Sequence, residues 1–404
     1  MVILMLKREK YLSIIREFYD DDLIKVLIGI RRSGKSIILK QIIDELKEKQ
    51  IDDKHIIYIN FEDVDYSNIL NYMDLNKYVK GQILDDKKYY LLFDEVQLVS
   101  GWEKAINSFK ATLNSSIFIT GSNSKLLSGE LATLLSGRYV KFLIAPFSFR
   151  EVIDLKGITD RYDIETEFRE YMIWGGMPQR FELNSIEKVK LYLSDLFDTI
   201  VIKDIIKRYN VSNVSIFERV MEYLVTNPCQ FFSPTNMLKE FEKNSISISS
   251  KTIYECLDYA EASLLMSKIS TYDVRGKRIL SRKDKYYLTD LGIGQIKNVN
   301  KKLQLGFYLE NIVYNELLYR GYDVSVGNNN GKEIDFIATK YDEKMYFQVA
   351  YEIGDNDDTR LREFGAYSGI DDNYPKYVLS MDKFDLSQDG IIHKNIIDWL
   401  LDKS

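Results

Sequence analysis

The run Gly29-Ile30-Arg31-Arg32-Ser33-Gly34-Lys35-Ser36 fits the spacing G-x-x-x-x-G-K-[ST]. Glycines let such a loop wrap phosphate with backbone N–H groups, and the N-terminus of the following helix favours negative charge. In that chemistry Lys35 reaches the β- and γ-phosphates and the Ser36 hydroxyl binds Mg²⁺. Arg31, Arg32, Ser33 and Ile37 fall in the same expected binding segment, and the two arginines could pair with phosphate or with a carboxylate elsewhere. A second element lies about 60 residues on, where the apolar run Tyr89-Tyr-Leu-Leu-Phe ends in Asp94-Glu95. Asp94 at a strand end can enter the Mg²⁺ shell, and Glu95 beside it can orient or deprotonate water. Together the two elements describe a site that hydrolyses a γ-phosphate.

Such residues need a scaffold, and the first 147 residues supply its pattern. Apolar runs at Lys25–Ile30, His55–Phe61, Tyr89–Asp94, Ser116–Thr120 and Arg138–Ile144 read as strands alternating with helices, the sign of an α/β domain with a mostly parallel sheet. The glycine loop sits between the first strand and a helix running to about Glu48, which is the context the motif requires. Residues 148–210 are helical by periodicity, interrupted by Gly175-Gly176-Met177-Pro178. Residues 211–297 change character. A helix over about 214–225 precedes a helix start at Ser233-Pro234 and a longer helix from Ser249-Ser250 to about Ala262. Two short β-like runs, Leu264–Tyr272 and Lys285–Leu288, follow, joined by a basic segment. That is the order of a winged helix-turn-helix. Residues 298–404 again mix helix and strand.

Composition narrows the classes. The chain has 404 residues, 45% apolar and 29% charged, which excludes a disordered tail or a coiled rod. The longest charge-free run, Tyr223–Leu238, holds two prolines and is shorter than the roughly 20 residues of a membrane span. The apolar start meets Lys7, Arg8 and Lys10 without a cleavage site, so it does not read as a signal peptide. Two cysteines and two histidines exclude a Cys/His zinc site. The expected location is the cytoplasm. Net charge is −6, yet residues 273–285 carry +4, while residues 300–404 carry −7.

With these residues in place, Gly29–Ser36 followed by Leu91–Gln97, Trp102, Thr120-Gly-Ser122 and Ser136-Gly-Arg138 resembles the archaeal-type ATPase family of the AAA+ superfamily. The resemblance implies ATP and Mg²⁺ as ligands and Ser122 or Asn123 as a polar γ-phosphate sensor. It implies Arg138 as an arginine finger for a neighbouring subunit, hence a possible oligomer; a surface strand residue and an ordinary turn are the plain alternatives. Gly175–Pro178 resembles the glycine–proline motif of this family's helical lid, where the proline, here Pro178, packs near the nucleotide.

The winged helix resembles that of origin-recognition and signalling ATPases. It would place Lys251 at a major groove and Arg275, Lys277, Arg278, Arg282 and Lys283 on phosphates of double-stranded DNA. In the last 105 residues, Leu309-Glu310-Asn311, Lys332–Ile337 and Met345–Ala350 resemble a restriction-endonuclease-like PD-(D/E)xK core. Gln348-Val349-Ala350 stands where an active member has E-x-K, and the lysine is absent. Glu310, Asp335 and Gln348 therefore read as a vestigial site, with Glu352 a further candidate ligand, in a domain expected to be structural or binding. The expected whole is an α/β P-loop AAA+ core (1–147), a helical lid (148–210), a winged helix (211–297) and a degenerate nuclease-like domain (298–404). Its expected activity is Mg²⁺-dependent ATP hydrolysis coupled to conformational change and DNA binding. The alternatives are a nucleotide-dependent switch for a protein partner and an ATP-regulated nuclease.

Overall fold

The computed structural model describes residues 6–122, 135, 137–211, 213–243, 246–297, 305–354 and 357–402. The chain divides into two compact units: one runs to Pro146 and includes 262–264, and the other holds the remainder from Phe147.

The first unit is built on five parallel strands: β1 (Ile24–Ile28), β2 (Ile56–Asn60), β3 (Tyr89–Asp94), β4 (Ser115–Gly121) and β5 (Tyr139–Leu143), in the order β2-β3-β4-β1-β5. Every residue of β1 and β3 is buried, as parallel strands covered on both faces require. Helices α1 (Glu9–Arg16), α2 (Lys35–Glu48), α3 (Tyr72–Lys80) and α4 (Trp102–Thr112) complete the unit. The register pairs Ile28 with Gly121 and Asn60 with Asp94, so β1, β3 and β4 all end at one edge of the sheet. In an open parallel sheet, ligands bind at that carboxyl edge. Helix α1 is fixed to α2 through Glu45, which takes Lys7 (2.8 Å), Arg16 (2.7 Å) and the Tyr19 hydroxyl (2.8 Å). Burial pushes the Glu45 carboxyl up, but Arg16, Lys7 and Tyr19 outweigh it and hold it at about 2.

The second unit opens with α5 (Phe149–Lys156), whose Ser148–Glu151 capping box closes its first turn. Helix α6 (Arg161–Trp174) ends at Gly175-Gly176, and α7 (Ile186–Thr199) follows. The two glycines are forced by the close approach of a side chain and of a backbone carbonyl. A Cβ on Gly175 would fall 2.1 Å from the Asp290 carboxylate, and one on Gly176 would fall 2.1 Å from the Phe147 carbonyl oxygen. Asp290 accepts from the N–H of Gly176 (2.6 Å) and of Gly292 (2.9 Å); burial pushes its carboxyl up to about 6.

Three helices, α8 (Val214–Thr226), α9 (Pro234–Lys243) and α10 (Ser250–Ala262), precede an antiparallel hairpin of β6 (Met266–Asp273) and β7 (Arg278–Leu288). The hairpin differs from the sequence expectation. The segment read as a basic connector is mostly strand, and the turn is confined to Val274–Lys277. Nor does the hairpin end the sheet. β6 pairs in parallel with β8 (Asp323–Asn329), matching Thr271 with Val326 and Asp273 with Asn328. One seven-stranded sheet results, ordered β12-β11-β10-β9-β8-β6-β7, with β9 at Lys332–Lys340, β10 at Glu343–Val349, β11 at Lys376–Ser380 and β12 at Ile392–Asn395. Pairing β6 with β8 satisfies a strand edge that would otherwise be exposed. Among the described residues no helix is long and apolar enough to cross a membrane.

Candidate nucleotide and metal sites

The glycine loop joins β1 to α2. Gly29 has no room for a side chain, since a Cβ would fall 2.2 Å from the Ile144 carbonyl oxygen of the neighbouring β5 segment. Gly34, at φ 103°, is the N-cap of α2. It carries no side chain to occupy the first-turn N–H groups, which leaves them for an anion. Arg32 also adopts a left-handed backbone, at φ 67°, and is exposed, whereas Arg31 lies 3.6 Å from Glu62. Ser33 is buried, and its hydroxyl has no hydrogen-bond partner among the described residues.

Lys35 is almost wholly buried. Its ammonium donates to the carbonyls of Gly29 (2.9 Å) and Ile30 (3.1 Å) and lies 3.9 Å from the Glu95 carboxylate. Glu95 itself sits in left-handed backbone, φ 55° and ψ 47°, where β3 turns into a single 3₁₀ turn. A non-glycine residue held there stores strain, and such residues cluster at functional sites. Thr120 supports the turn. Its hydroxyl accepts the Glu95 N–H (2.9 Å) and donates to Asp94 (2.5 Å). The other Asp94 oxygen accepts from Tyr58 (3.1 Å), whose phenol is pushed up by burial and by that carboxylate. The Glu95 carboxylate accepts from Ser122 (3.3 Å) and from the Gln97 amide. Lys35, Asp94, Glu95 and Ser122 thus meet at the carboxyl edge of one sheet. Ser36 follows in the first turn of α2, half-buried, with Ile37 beside it.

A second cluster occupies the other unit. Carboxylate oxygens of Glu310, Glu333 and Asp335 lie within 4.8 Å of one another. They border a cavity of about 1040 Å³ that Gln348 and Glu363 also line. The Lys285 ammonium enters the cluster from β7, 2.9 Å from Glu310 and in contact with Glu333. Tyr287 donates to Glu310 (2.6 Å). Gln348 accepts the Asp335 N–H (2.7 Å) and donates to Glu363 (2.9 Å), and Asp335 accepts the Val349 N–H (2.7 Å). Burial pushes Glu310 and Asp335 above the usual carboxylate range, Asp335 further because Glu310 faces it. Burial works against the charge of Lys285, but Glu310, Asp335 and Glu333 together keep it protonated beyond its ordinary range. The stretch Gln348-Val349-Ala350 carries no lysine, as its sequence dictates; β7 brings one to the carboxylates instead.

The remaining expected residues are scattered. Arg138 is exposed beside β5, and Asn123 lies outside the described residues. Pro178 is buried in the second unit, at the start of a 3₁₀ turn. Lys251 is exposed and lies 3.8 Å from Glu255, and Lys277 and Arg278 are exposed at the hairpin tip. Arg275 is not turned to solvent alone: a Cβ on Gly369 would come within 2.7 Å of its guanidinium. The side chains of Arg282 and Lys283 lie outside the described set.

Residues 21–153 match the family model of an AAA domain, and residues 165–302 match a domain of unknown function, DUF8612. An uncharacterized protein of Haemophilus influenzae is 38% identical over 400 residues, covering 98% of this chain and 99% of its own length. The chain belongs to that protein's family, an AAA+ P-loop family. Uncharacterized protein MJ1544 of Methanocaldococcus jannaschii is 33% identical over 365 residues, covering 85% of this chain and 78% of its own. The Walker-type ATPase PABY2304 of Pyrococcus abyssi shares the fold, with a TM-score of 0.52 over 73% of this chain and 96% of that one, at 14% identity.

Within the AAA+ domain, four residues of the site had not been singled out from sequence: Tyr58, Thr120, Gln97 and Arg8. The first three hold Asp94 and Glu95 as described. Arg8, buried, donates to the carbonyls of Ser33 (3.2 Å) and Ala145 (2.9 Å) and so braces the loop from the N-terminal side. Gln97 and Thr120 stand in the motif runs themselves and could have been marked there. For Tyr58 and Arg8 the sequence carries no spacing signal.

Proposed function

We propose that the AAA+ domain binds ATP with Mg²⁺ and hydrolyses it, and that the second unit couples this cycle to double-stranded DNA. The observation that carries the reading is the meeting of Lys35, Glu95 and Ser122 beside an uncapped helix N-terminus at the sheet's carboxyl edge. The donor set fits the metal. Asp94 and the Ser36 hydroxyl are hard oxygen ligands of the kind Mg²⁺ takes, and Asp94 keeps acceptor capacity beyond its two hydroxyl partners. Bound there, Mg²⁺ would neutralise charge that develops on the phosphate oxygens.

The chain's own groups do the rest. Loop N–H groups and the buried Ser33 hydroxyl take phosphate oxygens, and Lys35 exchanges the Gly29 and Ile30 carbonyls for the β- and γ-phosphates. Glu95 accepts a proton from water as the water oxygen bonds to the γ-phosphorus. The bond from phosphorus to the bridging oxygen breaks, and its electron pair stays on the departing ADP. Ser122 holds a γ-oxygen, and Arg138, exposed beside β5, serves a neighbouring copy. Among the described side chains, Lys251, Arg275, Lys277 and Arg278 are exposed cations available to DNA phosphates. Mg-ATP turnover with and without duplex DNA at two salt concentrations tests the whole reading. Salt-sensitive stimulation supports the coupling, turnover indifferent to DNA redirects the coupling to a protein partner, and absence of turnover refutes the ATPase.

A second reading is favoured by one observation, the entry of Lys285 among Glu310, Glu333 and Asp335. A lysine beside carboxylates able to hold a divalent cation is the equipment of metal-assisted phosphodiester hydrolysis. Mg²⁺- or Mn²⁺-dependent DNA cleavage that is lost in Asp335→Ala would establish it. Uncut DNA under both metals would leave the cluster a purely structural one.

A further inference from the structure

The group that orients Glu95 is not among the residues the phosphate-loop chemistry names. Gln97 lies two residues beyond it, on the 3₁₀ turn Val96–Leu98. Buried Val96 and Val99 flank it and pin the turn to the core. The left-handed backbone of Glu95 is what brings side chains 95 and 97 to the same side, and the Gln97 amide nitrogen donates to the Glu95 carboxylate. The amide oxygen, by contrast, is buried with no hydrogen-bond partner among the described residues. A buried acceptor left without a donor is costly. Turning the amide over would set its oxygen against the carboxylate. The amide is therefore oriented by Glu95 and not by its own satisfaction, and its nitrogen is committed to that carboxylate.

We propose that Gln97 is a positioning residue for hydrolysis: its N–H fixes the direction in which Glu95 presents its free oxygen to the attacking water. This rests on the ATPase reading above, with Glu95 as the proton acceptor. Ser122 and Lys35, the other groups on Glu95, are the ones ATP would recruit to its own phosphates, so Gln97 is the contact that persists through the cycle. Nucleotide binding, made by the loop and α2, does not pass through Gln97.

The test is steady-state ATP turnover and equilibrium ATP binding of the full chain for Gln97→Met, Glu95→Gln and the double variant. Gln97→Met keeps length and volume while deleting the donor. It should lower kcat ten- to a hundredfold, with KM and ATP affinity within twofold of the parent. The double variant should be no slower than Glu95→Gln alone, because both changes disable one unit. Gln97→Glu, which replaces the donor with a like charge, should be at least as slow as Gln97→Met. Parental kcat in Gln97→Met, a rise in KM in place of a fall in kcat, or losses that multiply in the double variant would each overturn the proposal. Parental turnover in Glu95→Gln would instead remove the reading on which it rests. Retained ATP affinity reports folding, and if Gln97→Met fails to fold, Gln97→Glu supplies the same comparison.

Discussion

Two lysine–carboxylate clusters sit in this chain, and they are built in opposite ways. In the AAA+ domain, Lys35 and Glu95 come from segments that each follow a strand of one parallel sheet, and Lys35 spends its donors on two carbonyls of its own loop. In the second unit, Lys285, Glu310, Glu333 and Asp335 come from β7, from the helix Leu305–Tyr319 and from β9, and the lysine is enclosed by acids. The first cluster leaves free N–H groups and a cation facing one edge, an anion site. The second carries more carboxylates than lysines, and the attraction between its charges works against the cost of their burial. One is arranged for a ligand's charge, and the other balances its own.

The sharpest way to break that contrast is to remove each lysine. Lys35→Ala should abolish ATP binding, a loss beyond a hundredfold in affinity by fluorescent-nucleotide titration, while the thermal transition shifts little. Lys285→Met should do the reverse, leaving ATP affinity within twofold. Its removal strands buried carboxylates, and breaking a buried pair in this way costs about 3–5 kcal/mol. If Lys35→Ala still binds ATP, or if Lys285→Met abolishes binding, the two clusters do not have the separate roles assigned to them.

How the clusters are built also decides how much of each could be read beforehand. The phosphate loop and Asp94-Glu95 are contiguous runs tied to strand ends, so local pattern places both the strands and the chemistry. The five strands of the first sheet fall within a few residues of their expected limits for the same reason. The second cluster depends on β6 pairing with β8, residues some 55 positions apart, and nothing in the alternation of either strand names its partner. Lys285 therefore counted only towards the basic stretch 273–285, when it is a buried ion-pair residue. The absence of E-x-K at Gln348–Ala350 was legible, but the approach of a lysine from another strand to the carboxylates was not. Gly175-Gly176 was visible as a motif, while the reason for it, the approach of Asp290 and of the Phe147 carbonyl, is tertiary.

The two units should also answer to pH with opposite sign. Glu45, which ties α1 to α2, is held at about 2 against its ordinary 4.5. A depressed carboxyl contributes stability above its unfolded value, lost as pH falls through the folded one; integrated, this is about 3 kcal/mol at most. Glu310, Asp335 and Asp290 in the second unit are raised, so their folded forms favour the proton and stability declines as pH rises above about 4. Melting followed from pH 8 to pH 3 should show the gap between Lys285→Met and parent narrowing on acidification. Glu45→Gln should stay below the parent across that range, converging on it only as the pH approaches 2. A Lys285→Met deficit that widens in acid would mean the carboxylates of the second cluster are not the groups left unpaired.

The smallest effect concerns the hairpin tip. Among the described side chains Arg275, Lys277 and Arg278 are exposed at the hairpin tip, Arg275 beside Gly369, with Lys251 exposed on α10, whereas Lys285 is buried. Each phosphate contact adds roughly 0.9 to the slope of log affinity against log salt. Arg278→Ala should therefore lower that slope by about one and weaken duplex binding several-fold at low salt, equally for all sequences. Arg275→Ala should lower it less, since its guanidinium lies beside Gly369. Duplex binding whose slope ignores Arg278 and Lys277 alike would take DNA away from this hairpin. It would leave the second unit without a nucleic-acid partner at this end of its sheet.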